Sequence, residues 1–184
     1  MFVHGIVHRI DKDTSGLLII AKNDKAHLNL ANQIKNHEVT KIYTCLVKGN
    51  ISENEATIDM PIGRDKKDIT KMCACADGKE AVTHIKVLRR YGKYTLLRAK
   101  IDTGRTHQIR VHLSKIGHPI VGDYVYSNGK NEFNVKGQML HSTILVFRQP
   151  TTNKEIRVEA EVPKYFQDVI DILEERNYKD EKKQ

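Results

Sequence analysis

The sequence predicts an α+β fold: a mainly antiparallel mixed sheet with flanking helices. Three observations carry that reading. Segments with strand character outnumber segments with helical periodicity. The strand-like segments follow one another across turns more often than across helices, which favours hairpins over strand–helix–strand crossovers. No linker, repeat or low-complexity stretch interrupts the 184 residues, a length suited to one domain. Leu, Ile, Val and Phe make up about a quarter of the chain, above the roughly 20% below which disorder is the default, so a core can form.

Taken in order, residues 5–10 and 16–22 read as strands around the polar turn Asp11-Lys12-Asp13-Thr14-Ser15. Asn23 or Asp24 has the chemistry of an N-cap, and 25–37 reads as a helix with Ala26, Leu30, Ala31 and Ile34 on one face. Residues 40–48 alternate and read as a strand. The polar stretch 60–79 reads as a loop or irregular hairpin. Strands follow at 81–90 and 94–102, joined at Gly92.

After the break at Thr103-Gly104, residues 106–116 read as a helix with Ile109, Leu113 and Ile116 on its apolar side. Gly117 ends it and Pro119 prevents its resumption. Strands return at 139–147 and 156–161. A last helix starts at Pro163 and packs through Phe166, Val169, Ile170 and Leu173. One domain over 1–178 and a charged, frayed tail over 179–184 is the expected organisation.

The formal net charge of +8 suits a polyanionic partner, because Lys and Arg neutralise phosphates and release counterions. With no Trp and few aromatics, a broad stacking platform for single strands is not expected. The longest apolar run, Leu17 to Ala21, is far short of the roughly 18 residues of a membrane helix, and the first residues lack the pattern of a secretory signal. A soluble cytoplasmic protein is expected. Three cysteines make no disulfide framework, and the CxC pair Cys73/Cys75 is not a zinc spacing.

Two segments are dense in reactive side chains: His8 to Gly16, and Gly104 to His112. In the first, Asp11, Asp13, Ser15 and Gly16 match the opening of a calcium loop. Position 12 of that loop would be Lys22, where two carboxylate oxygens are needed, so calcium is rejected. In the second, His107, Arg110 and Ser114 share a helix face away from Ile109 and Leu113. His107 and His112 are five apart, one more than a zinc-binding helix requires. Arg105 at the helix start opposes the macrodipole, a cost that a bound phosphate would relieve.

No glycine-rich phosphate loop and no nucleophile elbow occurs. The remaining candidate for catalysis is a carboxylate, Asp11 or Asp13. A carboxylate nucleophile has to stay ionised in a pocket, and a guanidinium within about 4–6 Å achieves this.

The segment His8-Arg9-Ile10-Asp11-Lys12-Asp13-Thr14-Ser15-Gly16-Leu17-Leu18 resembles the catalytic motif of the RluA-type pseudouridine synthases, with Ile10 where leucine is usual. Lys41 to Gly49 resembles their tyrosine motif, and Gly104 to His112 their GRxHQIRxH motif. Gly117 to Asp123 and Leu140-His141 resemble two further landmarks. The five stand in order over residues 3 to about 165.

The resemblance implies an isomerase converting uridine to pseudouridine in structured RNA, foremost large-subunit ribosomal RNA, with tRNA the second candidate. It implies Asp11 as nucleophile on an extruded uridine, attacking C1′ of the ribose or C6 of the base. Tyr43 would stack on the base and assist proton removal from C5. Arg110 would pair with Asp11 within about 4 Å at the floor of a cleft. Arg9 would fill the gap left by the base, and Arg105 and His107 would complete the RNA-binding set. It implies no cofactor and no metal.

Similar enzymes carry a strand-rich stretch before the catalytic motif, whereas here Met1 lies ten residues before Asp11. The chain therefore reads as an N-terminally truncated catalytic domain, with an exposed sheet edge and possible self-association as the physical consequence. Two other functions compete: a non-catalytic RNA-binding module, and a carboxylate-dependent hydrolase of a phosphorylated substrate.

Overall fold

The computed structural model describes residues 5–127 and 131–182. Its main sheet has seven strands: β1 (Ser15–Gly16), β2 (Thr40–Lys48), β3 (Glu55–Asp59), β6 (Val82–Arg90), β7 (Tyr94–Ile101), β8 (Leu140–Arg148) and β9 (Glu155–Glu159). They lie in the order β1-β8-β2-β7-β6-β3, with β9 also paired to β8. The small strands β4 (Ile62–Arg64) and β5 (Met72–Ala74) form a separate two-stranded sheet. Three helices, α1 (Asp24–Lys35), α2 (Gln108–Lys115) and α3 (Lys164–Glu181), complete the fold. Only β1 pairs in parallel; the sheet is otherwise antiparallel, as the strand-rich sequence predicts.

Strand β2 lies at the centre. It pairs with β7 from Lys41↔Ile101 to Lys48↔Tyr94 and with β8 on its other side. A strand covered on both faces is apolar at consecutive positions, and Cys45, Leu46 and Val47 are fully buried. The larger core includes Leu97, Leu113, Ile120, Phe166, Val169 and Leu173. A smaller core gathers Ile19, Ala21, Leu30, Val39 and Leu145 under α1. The cap of α1 is as expected: Ala26 donates its N–H to Asn23 Oδ1 at 2.9 Å.

Several elements differ from expectation. Residues 5–10 and 16–22 do not form a regular hairpin. They meet at an isolated bridge, Ile6↔Ile20, and Ala21 N–H donates to the Gly5 carbonyl. The chain after the turn pairs instead with a distant strand, through Ser15↔His141 and Gly16↔Ser142. Gly16 permits this, because at φ 108° a Cβ there would collide with the Ser142 backbone. Residues 60–79 contain the β4–β5 hairpin, and β3 was not anticipated at all. Helix α2 is shorter than 106–116 and begins after His107, which sits in the left-handed region at φ 56°. Helix α3 continues through Glu181, so residues 179–181 are helical where a tail was expected; residues 183–184 lie outside the described residues.

Candidate active site

The turn that carries Asp11 is fixed from outside. Thr14 donates its N–H to the Asp11 carbonyl at 3.0 Å, closing the turn. Buried Gln138 donates through Nε2 to the Lys12 carbonyl at 2.6 Å and to Thr14 Oγ1 at 2.9 Å. Gly137, at φ 91°, lies so close that a Cβ there would come within 2.5 Å of Asp13 Cβ. Leu17 N–H donates to the Ser142 carbonyl. The segment 137–142 thus clamps the residues that follow the carboxylate. Asp13 is exposed and Asp11 half-buried, which distinguishes the two candidates.

Opposite the turn, α2 presents Arg110. Its Nη1 lies 3.4 Å from Asp11 Oδ2, and its Nε and Nη2 form a two-pronged pair with the Asp123 oxygens at 2.8 and 3.0 Å. The side chains of Arg110, Asp11 and Asp123 are 5%, 15% and 0% exposed. Asp123 is itself held: its Oδ1 also accepts the N–H groups of Val125 and Tyr126 at 2.9 and 3.1 Å. Burial works against a charged Arg110, but the hydrogen bonds and negative charge of Asp123, joined by Asp11, outweigh it and raise its pKa.

The helix face shared by His107, Arg110 and Ser114 is covered. Tyr126 meets all three of its residues: the ring lies 5.2 Å from Arg110 Cζ, the hydroxyl is 2.9 Å from His107 Nδ1, and its carbonyl accepts from Ser114 Oγ at 3.1 Å. His112, on another side of the helix, is fully buried between Thr83 Oγ1 and the Met60 carbonyl. An eight-residue helix with Gln108 to Leu113 all buried is a core element with polar anchors, not an amphipathic surface helix. Its start is staked by Gln108, whose Oε1 accepts from Arg105 N–H and Thr103 Oγ1 while Nε2 donates to the Val82 carbonyl and Thr83 Oγ1.

A cavity of about 220 Å³ opens beside Asp11. Tyr43 and Lys41 of β2 line it, together with His8, Arg9, Gly104 and Arg105. Burial, with the nearby charge of Asp11, pushes the Tyr43 phenol up to about 12, so the hydroxyl is protonated at neutral pH. His8 accepts the Ile19 N–H at Nε2 (2.9 Å), and burial and then the charge of Lys41 keep its pKa low. Arg9 is exposed at the rim. Arg105 is partly tied down, with Nε donating to the Glu80 carbonyl at 2.8 Å.

The structure therefore brings Asp11, Tyr43 and Arg110 to one place, with Arg9 and Arg105 on the same cavity. His107 stands apart from that lining: it is half-buried against Tyr126, and its pKa is lowered by burial and by Arg110. Asp123, Tyr126 and Gln138 were missed as site residues. The landmark ending at Asp123 was the only sequence signal for any of them. Among the described residues, no three His, Cys, Asp or Glu side chains are grouped to hold a metal ion, and no helix is long and apolar enough to cross a membrane.

A family model described as RNA pseudouridylate synthase matches residues 1–115. The chain belongs to the RNA pseudouridylate synthase family. A Bacillus subtilis (strain 168) protein named uncharacterized RNA pseudouridine synthase YlyB is 52% identical over 170 residues, covering 92% of this chain and 55% of the relative. The Pseudomonas aeruginosa ribosomal large subunit pseudouridine synthase D is 40% identical over 181 residues, covering 92% and 56%. The chain spans about half the length of these curated relatives. The solved structure of human RNA pseudouridylate synthase domain containing 1 superposes with a TM-score of 0.77 at 34% identity, over 86% of this chain and 69% of that one.

Proposed function

We propose that this chain isomerises uridine to pseudouridine in RNA, with Asp11 as the nucleophile. The observation that carries the proposal is the Asp11 carboxylate held 3.4 Å from an arginine that Asp123 locks in place, at the mouth of a cavity lined by Tyr43. Only an extruded base could enter such a cavity, and extrusion costs a few kcal/mol that an inserted side chain offsets in part. Arg9, exposed at the rim, is the candidate for that insertion.

In the proposed reaction Asp11 attacks C1′ of the ribose or C6 of the uracil, and the C1′–N1 bond breaks. The uracil turns, C5 joins C1′, and the proton on C5 leaves as one is gained at N1. Nothing is added or lost overall. Arg110 holds Asp11 in the attacking position. Tyr43, protonated and buried, supports the face of the ring and offers its hydroxyl near C5. Arg105 and His107 are proposed as part of the RNA contact surface, Arg105 with the larger share because it lines the cavity and His107 does not.

The names of relatives such as the Pseudomonas aeruginosa enzyme support large-subunit ribosomal RNA as the substrate. We read residues 1–178 as one catalytic domain. The proposal predicts tritium release from ribosomal RNA labelled at uridine C5, without chain cleavage. Asp11→Asn should abolish release and leave RNA binding within a few-fold of the parent. Release by Asp11→Asn at the parent rate would remove Asp11 from the role. Binding without release by the unaltered chain would favour a non-catalytic RNA-binding module.

A further inference from the structure

Lys41 is a buried cation for which the interactions described so far give no reason. It sits in the central strand β2, two residues before Tyr43, and its relative exposure is 7%. In an extended strand, positions two apart face the same side. Lys41 and Tyr43 thus share the sheet face that lines the cavity, with Ile101, the cross-strand partner of Lys41, beside them. The Lys41 Nζ lies near the Gly104 backbone, 3.4 Å from where a Cβ on Gly104 would stand. A Cβ at 104 would stand in van der Waals contact with the amine.

Among the described residues the Lys41 amine makes no ion pair and no hydrogen bond, and although its side chain is buried the amine itself is not one of the fully enclosed polar atoms. The acid nearest the reaction, Asp11, is engaged by Arg110 instead. The other groups facing the cavity are His8, Arg9, Arg105 and Tyr43, none of which is an anion at neutral pH. Burial lowers the Lys41 pKa, which records the cost of holding an ammonium there. A buried charge without a partner is expensive unless a ligand supplies one.

We propose that Lys41 donates a hydrogen bond to a carbonyl oxygen of the uracil and stabilises the negative charge that collects there when Asp11 attacks. The inference rests on the reading of Asp11 as nucleophile. Both routes of attack place charge on the same atoms. Attack at C1′ sends the C1′–N1 bonding pair onto N1, delocalised to O2 and O4. Attack at C6 sends the C5=C6 pair through C5 and C4 onto O4. Lys41 keeps its proton throughout, so it acts by electrostatics and leaves proton transfer from C5 to another group. A cavity of about 220 Å³ is small for a ligand site, so a ring that fills it touches the Lys41 wall and the Asp11 wall together. A cation aimed at developing charge in a water-poor site is among the larger single contributions to catalysis.

The test compares single-turnover rates and RNA affinities of the unaltered chain, Lys41→Met and Lys41→Arg on a large-subunit ribosomal RNA fragment labelled with tritium at uridine C5. The expected result for Lys41→Met is a rate at saturating RNA about 100-fold lower, as for removal of one oxyanion donor, with affinity within about threefold. Lys41→Arg, which keeps the charge, should recover about tenfold of that loss. Thermal melting separates a structural role: removing an unpaired buried amine should leave the melting temperature unchanged or raise it.

A normal saturated rate with weakened binding would make Lys41 a phosphate clamp and overturn the inference. A large fall in melting temperature, or Lys41→Arg as inactive as Lys41→Met, would also overturn it. An unaltered chain that binds this RNA but releases no tritium would instead sink the proposed function, and this inference with it.

Discussion

Two clusters of basic and acidic side chains on this molecule use similar chemistry and differ in water. On the outer face of the sheet, His84 Nε2 lies 2.6 Å from Asp102 Oδ2, Thr57 Oγ1 lies 2.9 Å from His84 Nδ1, and Lys100 approaches Asp102 at 3.6 Å. At the candidate active site, Arg110 joins Asp11 and Asp123. The first has the order acid–histidine–hydroxyl that a catalytic triad would show. Yet His84, Asp102 and Lys100 are 39%, 43% and 50% exposed, and the cross-strand pairing Thr57↔His84↔Lys100 by itself brings three of the four side chains together.

The second cluster is closed. Water screens the exposed set, and each of its contacts contributes little. In the buried set every oxygen of Asp123 is spoken for, and Arg110 has no alternative partner in solvent. Burial, more than residue type, separates a site that can hold one geometry through a reaction from a ladder of surface pairs.

That contrast can be broken in several ways. The largest effect is expected from Arg110→Met, which strands the buried carboxylate of Asp123 and frees Asp11. Removal of one partner from a buried pair costs about 3–5 kcal/mol. Turnover on RNA should fall at least about 100-fold, and the urea midpoint should fall with it. Arg110→Lys should not restore turnover, because an ammonium cannot make the two-pronged contact. A stable, active Arg110→Met chain would show the cluster to be incidental.

A smaller effect is expected from Tyr126→Phe. It keeps the ring over Arg110 but removes the hydroxyl bonded to His107 and accepting the Met72 N–H. A loss of about 1–2 kcal/mol is expected from chemical denaturation, with turnover reduced less than tenfold. An activity loss as large as that of Arg110→Met would mean that the hydroxyl, and not the ring, positions the arginine.

Acidification should act through the buried and half-buried histidines. Burial comes first among the causes that hold the pKa values of His8, His107, His112 and His141 below the ordinary histidine value. Such groups bind more protons unfolded than folded near pH 6.5, so stability is full above that pH and is lost as pH falls through it. Melting temperature should drop between pH 7 and pH 5.5, and His112→Gln should flatten the drop. A flat profile in the unaltered chain would contradict the burial of these rings.

The smallest effect is expected from Asp102→Asn on the exposed cluster. Stability should change by no more than about 1 kcal/mol, and turnover should be unchanged. A loss of turnover there would abolish the distinction between the two clusters.

What the sequence determined by itself is local. Strand β2, the β6–β7 hairpin at Gly92, the Asn23 cap and the packing face of α3 follow from alternation, turn chemistry and 3.6-residue spacing, each confined to neighbouring residues. Asp11 and Arg110 lie in the two segments dense in reactive side chains, whereas Tyr43 as a site residue and the meeting of Asp11 with Arg110 were expected from the family resemblance. The tertiary structure alone decided the rest. Ser15 pairs with His141, 126 positions further along the chain, so the expected hairpin at 5–22 gave way to a parallel contact that no local pattern encodes. Asp123 and Tyr126 come from an irregular loop whose return onto α2 carries no periodicity. Lys41 looked like the polar half of an alternating strand, and the outer half of such a strand is normally wet. Its burial depends on which strands flank β2 and on the loop that brings Gly104 against its amine. These are matters of long-range packing, where the side chain's partners are chosen by the fold and not by its neighbours in sequence.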